Sequence, residues 1–195
     1  MSVEIEVKLR VESHDPVRQR LEGVSARFLR TVLETNSIYD RSDGMLRKRG
    51  CGLRMRSVTP EGEKVSRATL TFKGPRIATA LKSREELEID VSDAELLARM
   101  LEGIGFVQVL RYEKRRESWG LDGCRVELDE PARLGLFVEI EGPDERTILS
   151  VQRKLGLEQA REVPTSYVGM LVAYCEAYDI ADRTLNLSGS NANEA

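Results

Sequence analysis

The chain is short of the residues that carry most metal and acid–base chemistry. Of its 195 residues one is histidine, His14, and three are cysteine, Cys51, Cys124 and Cys175. One histidine beside an expected helix start argues against histidine-based proton transfer and a histidine-liganded metal. Three widely spaced cysteines make neither a disulfide framework nor a zinc site, and fit the reduced thiols of a cytoplasm. No run of 18 apolar residues occurs, so no membrane-spanning helix is expected. Met1-Ser2-Val3-Glu4 opens without an apolar leader region, and a cytoplasmic location is expected. A Gly-x-x-x-x-Gly-Lys-[Ser/Thr] loop is absent, so phosphates are not cradled in that way on a helix N-terminus. The net charge of −3 gives no bulk attraction to nucleic acid or membrane. What is abundant is charge, at 32% of residues. Carboxylates, lysine, arginine and tyrosine are therefore the chemical vocabulary.

That charge is patterned. From Val3 to Glu12 apolar and charged residues alternate strictly, which in a strand puts Glu4, Glu6 and Lys8 on one face. Asp15-Pro16 then opens a helix. Phe28 to Asp40 reads as a strand ending in Asn36-Ser37-Ile38-Tyr39-Asp40, and Arg41-Ser42-Asp43-Gly44 as a turn. Gly52 to Val58 sets Arg54 and Arg56 opposite Leu53 and Met55. Arg67 to Lys73 is a strand, and Gly74-Pro75 ends it. From Ser83 to Val91, Arg84, Glu86 and Glu88 face one way and Leu87, Ile89 and Val91 the other. Ser92-Asp93-Ala94-Glu95 reads as a capping box before an apolar helical stripe of Leu96, Leu97, Met100, Leu101 and Ile104. Phe106 to Trp119 is a long strand with Tyr112, Lys114 and Arg116 in phase. The hairpin Gly120-Leu121-Asp122-Gly123 leads to alternating Arg125, Glu127 and Asp129, and Leu134 to Glu141 is a last strand with Glu139 and Glu141 in phase. Helices are expected near 144–155 and 165–179. Residues 183–195 read as a disordered tail and 1–182 as one domain.

About eight strands, each with one apolar and one charged face, together with amphipathic helices, specify an α+β, mainly β fold. The expected form is an antiparallel, eight-stranded closed tunnel or barrel with a charged interior and helices packed outside. Leu97, Met100, Leu101, Val138 and Ile140 should be buried between helix and sheet. Such an interior must be wet, because unpaired charges are not buried dry. Clustered Arg and Lys suit polyanionic oxygens, and clustered carboxylates suit a hard divalent cation, so a polyphosphate with Mg²⁺ or Mn²⁺ answers to both. The alternative is a set of structural salt bridges on an open, solvated sheet.

At this point the ordered motifs resemble a known family, the CYTH superfamily or triphosphate tunnel metalloenzymes. They are Glu4-x-Glu6-x-Lys8, Leu53-Arg54-Met55-Arg56, Thr71-Phe72-Lys73-Gly74-Pro75, Arg84-Glu85-Glu86-Leu87-Glu88, Lys114-Arg115-Arg116, Val126-Glu127-Leu128-Asp129 and Leu134 through Glu141, with Ile38-Tyr39-Asp40 a looser match. Leu136 departs from the pattern where a polar residue is expected, and Pro131 follows Asp129-Glu130. The chain is most similar to the class IV adenylate cyclase-like, or CyaB-like, group. The resemblance implies phosphate binding by Lys8, Arg54, Arg56, Lys73, Arg84, Lys114 and Arg116. It implies Mg²⁺ or Mn²⁺ at Glu4, Glu6, Glu88, Glu127, Asp129, Glu139 and Glu141. Lys114, Tyr39 and Glu4 are the implied catalytic residues, with Lys114 considered as a lysine of lowered pKa serving as base, or equally as a phosphate clamp. The expected function is a metal-dependent triphosphatase. The alternatives are a class IV adenylate cyclase making cyclic AMP and pyrophosphate, and a non-catalytic triphosphate sensor. The expected partner is a small-molecule triphosphate, not nucleic acid or membrane, with a homodimer left open.

Overall fold

The computed structural model describes residues 5–63, 66–75 and 85–187. The eight long strands are β1 (Ile5–Val11), β2 (Arg27–Arg41), β3 (Gly52–Pro60), β4 (Arg67–Lys73), β5 (Glu86–Val91), β6 (Phe106–Leu121), β7 (Cys124–Pro131) and β8 (Leu136–Gly142). The helices are α1 (Asp15–Gly23), α2 (Met45–Lys48), α3 (Ala94–Gly103), α4 (Glu145–Lys154) and α5 (Tyr167–Ala177). Two short strands, β9 (Arg161–Glu162) and β10 (Thr184–Leu185), complete the sheet. Local chemistry sets the boundaries. Asp93, Asp144 and Ser166 each accept a backbone N–H near the start of α3, α4 and α5. The α3 cap is thus Asp93, one residue later than a capping box on Ser92 would give. Asp122 and Gly123, both with positive φ, make the two-residue turn between β6 and β7.

The strands lie in the order β5-β4-β3-β2-β6-β7-β8-β1-β9, with β10 paired to β6. All the neighbouring long strands are antiparallel. The sheet is therefore mainly antiparallel, but it corrects the expected closure. It has ten strands, and among the described residues no hydrogen bonds join its two ends. β9 takes the free edge of β1 at Leu9 and Arg10, an edge a closing β5 would need. The sheet curls all the same. Arg116 on β6 reaches past β7 to Glu139 on β8, and Lys8 on β1 meets the same Tyr167 ring as Lys114 on β6.

One face of the sheet is apolar and carries most of the helices. α1 and α4 bury Val17, Leu21, Ile148 and Val151 against Leu9, Val126, Leu128, Val138 and Ile140. α2 and α3 cover Tyr39, Leu53 and Met55 with Leu46 and Leu101. Leu97 is half-buried there, but Met100 is 60% exposed, contrary to expectation, because the apolar stripe of α3 is wider than its contact with the sheet. α5 is the exception to helices outside. Its Tyr167, Leu171 and Cys175 pack on Leu110, Tyr112 and Phe137, which share their strand phase with Lys114, Arg116 and Glu139. It covers one end of the charged face, where β6 and β8 turn from charged to apolar. The chain beyond α5 is also ordered further than the expected tail: Thr184 and Leu185 pair with Arg111 and Tyr112, and Leu185 is buried. Residues 188–195 lie outside the described residues.

Candidate active site

Strand register brings distant charges into rows on the second face. Lys8 stands opposite Glu139, Glu139 opposite Glu127 and Glu127 opposite Ser118. In the next rows Arg116 faces Asp129 and Lys114 faces Glu34, while Glu6 faces Glu141. Further along the sheet Lys73 faces Glu86 and Thr71 faces Glu88. The structure thus places Glu6, Lys8, Arg54, Arg56, Lys73, Glu88, Lys114, Arg116, Glu127, Asp129, Glu139 and Glu141 in strands whose alternation gives them one face. Glu4 and Arg84 lie outside the described residues.

The centre is a buried ion network. Arg116 grips Asp129 through two hydrogen bonds of 2.6 Å and reaches Glu139 at 2.6 Å. Lys114 Nζ lies 3.2 Å from both Glu34 and Asp129. Lys8 Nζ lies 3.4 Å from Glu139 and donates to the Thr165 carbonyl at 3.2 Å. Tyr167 donates its hydroxyl to Asp129 at 3.0 Å, and its ring lies under Lys8 at 4.2 Å and beside Phe137. Burial drives the Asp129 carboxyl up, but Lys114 and Arg116 overcome it and hold the pKa well below the usual carboxylate range. The Arg116 guanidinium is likewise desolvated, yet Asp129, Glu34 and Glu139 raise it far above its ordinary value.

Two carboxylates of the network go the other way. Burial raises Glu127, whose Oε2 is enclosed with no hydrogen-bond partner. Burial and the nearby Asp129 charge raise Glu139. Carboxylates that are hard to ionise side by side are what an added cation would relieve, and an orphaned oxygen is a vacant acceptor. Glu127 and Glu139 therefore fit a divalent metal. Among the described residues, however, no three carboxylate, histidine or cysteine groups converge as a ready metal cage. Asp129 is taken up by Lys114 and Arg116, and Glu88 accepts from Thr71 at 2.6 Å on the far side of the face.

The cations on β3 and β4 are differently placed. Lys73 pairs with Glu86 at 2.6 Å near solvent. Arg56 donates to Asn36 at 3.0 Å and lies 3.4 Å from Glu34. Arg54 is enclosed, its Nε has no hydrogen-bond partner, and burial together with Arg56 lowers its pKa. Buried Tyr112 is pushed up to about 12.

One expected site residue lies away from the others. Tyr39 is on the apolar face, buried among Leu46, Leu53, Met55 and Leu101. Strand phase puts it with Ser37, away from Glu34 and Asn36, so it does not reach the charged cavity. Lys114 lies between two carboxylates, Glu34 and Asp129, a placement that suits the clamp reading. Glu34, Asn36 and Tyr167 also belong to the site, and they do not stand out in the sequence. For Glu34 and Asn36 the available signal was their spacing of two in a strand. For Tyr167 it was the Pro164-Thr165-Ser166 lead into α5.

The CYTH domain model matches residues 2–167. A Methanocaldococcus jannaschii protein provisionally named an adenylate cyclase is 26% identical over 139 residues, covering 71% of this chain and 76% of its own. Among solved structures, a Pyrococcus horikoshii protein superposes with a TM-score of 0.72 at 27% identity, over 88% of this chain and 99% of that one. A Hippeastrum protein, named an adenylyl cyclase and described as having a dominant triphosphatase activity, has the same fold. Its TM-score is 0.64 at 17% identity, over 89% of this chain and 96% of its own.

Proposed function

This chain belongs to the CYTH family, and from that premise we propose that it is a metal-dependent triphosphatase, acting on inorganic tripolyphosphate or an organic triphosphate such as thiamine triphosphate. The observation that carries the reading is Arg54. Its Nε is enclosed without a hydrogen-bond partner, beside Arg56 and in the same sheet as Lys73, and so is a donor left for an anion. A run of phosphates supplies it through bidentate, charge-assisted hydrogen bonds.

Hydrolysis breaks a bridging P–O bond as water adds to a terminal phosphorus, giving orthophosphate and either pyrophosphate, from tripolyphosphate, or the organic diphosphate. The chain's part is positioning and charge. Arg54, Arg56 and Lys73 hold the phosphates on the open side, while Lys114 and Arg116 present fixed cations to the charge that develops. Mg²⁺ or Mn²⁺ would be held by Glu127 and Glu139, with Glu6 and Glu141 in the adjoining row, and would neutralise phosphate charge and orient the water. The described residues that contact this face offer no group assignable to a purine, so a nucleoside adds little binding.

The archaeal relative's name favours a second reading, in which a ribose 3′-hydroxyl attacks the α-phosphorus of ATP and pyrophosphate leaves. One panel separates them: tripolyphosphate, thiamine triphosphate and ATP with Mg²⁺ or Mn²⁺, scored for phosphate, pyrophosphate and cyclic AMP. We expect phosphate from tripolyphosphate to exceed that from ATP, and excess EDTA to abolish it. Cyclic AMP as the main product, with tripolyphosphate only inhibiting, overturns the hydrolase. Tight binding without either product leaves a sensor.

A further inference from the structure

Glu34 has no role in the mechanism above, yet it is one of the most enclosed carboxylates of the site, its side chain 4% exposed. It sits on β2, the strand that pairs with both β3 and β6 and so joins the two sides of the charged face. Its Oε2 lies 3.2 Å from Lys114, and its Oε1 lies 3.4 Å from Arg56 and 3.9 Å from Arg116. Asn36, fully buried two residues on, donates to Glu34 at 3.5 Å and accepts from Arg56 at 3.0 Å. One carboxylate therefore ties together cations from two strands, all assigned to phosphate.

We propose that Glu34 is a positioning and specificity-determining residue, a built-in counter-anion that fixes Arg56, Lys114 and Arg116 on the cavity wall and caps the positive charge a triphosphate meets. The inference rests on the triphosphate reading. Three cations this close repel one another; Asp129 and Glu139 hold Lys114 and Arg116 from the β7–β8 side, and Glu34 is the carboxylate that also reaches Arg56 and so ties the two sides together. With Glu34 present they are in place beforehand, and ordering them is not charged to binding. The same carboxylate repels the ligand's phosphates. It weakens the hold on substrate and product alike, a uniform hold that gives no rate gain in the chemical step. The charge state supports this arrangement: burial drives Glu34 up, but Lys114, Arg56 and Arg116 outweigh it and bring its pKa to about 2, so it is an anion at any working pH.

The test is tripolyphosphate binding by calorimetry on the metal-free full-length protein, together with steady-state kinetics with Mg²⁺. Glu34→Gln keeps the shape and removes the charge. We expect it to bind tripolyphosphate roughly tenfold tighter, with kcat and KM falling together and pyrophosphate inhibiting more strongly. Glu34→Asp keeps the charge and should stay within about threefold of wild type in affinity. A residue that merely supports the fold would cost melting temperature without tightening anion binding. Unchanged or weaker binding by Glu34→Gln overturns the proposal. If that variant does not fold, Glu34→Gln/Lys114→Gln decides. Affinity restored to near wild type supports a Glu34–Lys114 counter-ion pair, and the same loss as Lys114→Gln alone overturns it. If wild type does not bind tripolyphosphate at all, the triphosphate reading itself falls, a distinct result.

Discussion

The charged face has two sides that treat charge in opposite ways. On β6, β7, β8 and β1 the side chains of Lys114, Asp129, Glu139 and Lys8 are buried, and each is paired within 3.4 Å. α5 seals one end of this side with Tyr167. On β3, β4 and β5 the face is half-open, Glu86 and Glu88 are exposed, and Arg54 keeps an unpartnered Nε. Both sides have similar composition, so burial makes the difference. A dry charge left unanswered is costly, and Arg54 Nε on the half-open side and Glu127 Oε2 on the closed side are enclosed without a hydrogen bond. The closed side then acts as a fixed electrostatic frame, and the open side as the surface that receives phosphate.

The sharpest way to break that contrast is to remove the central cation of the closed side. Arg116→Ala leaves Asp129 and Glu139 buried without their strongest partner. Breaking a buried pair by deleting one member costs about 3–5 kcal/mol. We expect urea denaturation to show a loss of that size, together with lost activity. A loss below about 1 kcal/mol would mean that water reaches this network freely, and the two sides would not differ in kind.

Removing a cation from the open side should do the converse. Arg54 is desolvated and has no hydrogen-bonded anion of its own at Nε, so Arg54→Ala relieves the fold as much as it harms it. Stability should change by less than about 1 kcal/mol. The expected loss is a charge-assisted contact to phosphate, about 1.5–3 kcal/mol, read as a raised KM for tripolyphosphate. A large stability loss with unchanged KM would make Arg54 part of the frame instead.

The same contrast explains what could be read from the sequence. β1, β6, β7 and β8 alternate so regularly that Glu6, Lys8, Lys114, Arg116, Glu127, Asp129, Glu139 and Glu141 declare their shared face without a structure. β2 does not alternate. Val32 and Leu33 are both apolar, and Thr35 and Ser37 are polar on the face opposite Glu34, so a functional carboxylate was hidden in a run without period. Closure was not legible because it depends on what occupies the edge of β1. The dipeptide Arg161–Glu162 that takes it is too short to carry a strand pattern. The position of α5 was also hidden. Its buried Tyr167, Leu171 and Cys175 have helical spacing, but nothing in them says which face of the sheet they cover.

The smallest expected effect tests the boundary between the two faces. Tyr39 resembled a catalytic residue only through the loose Ile38-Tyr39-Asp40 match. In the structure its partner across the β2–β3 ladder is Leu53, and the residue is 3% exposed within the apolar cluster that also holds Leu46, Met55 and Leu101. Its hydroxyl interacts with the Ser37 side chain, and burial raises its pKa. Neither feature points to a phosphate. Tyr39→Phe keeps the ring and removes one neutral hydrogen bond, which is worth about 0.5–1.5 kcal/mol net. We expect a stability change within that range and a kcat within about twofold of wild type, with the pH profile unmoved. Tyr39→Ala should instead destabilise by about 3–5 kcal/mol through the cavity it leaves in that cluster. A kcat for Tyr39→Phe reduced a hundredfold at unchanged stability would place the hydroxyl in the reaction. It would require β2 to turn over between Ser37 and Tyr39, and the division of the sheet into an apolar and a charged face would fail at that strand.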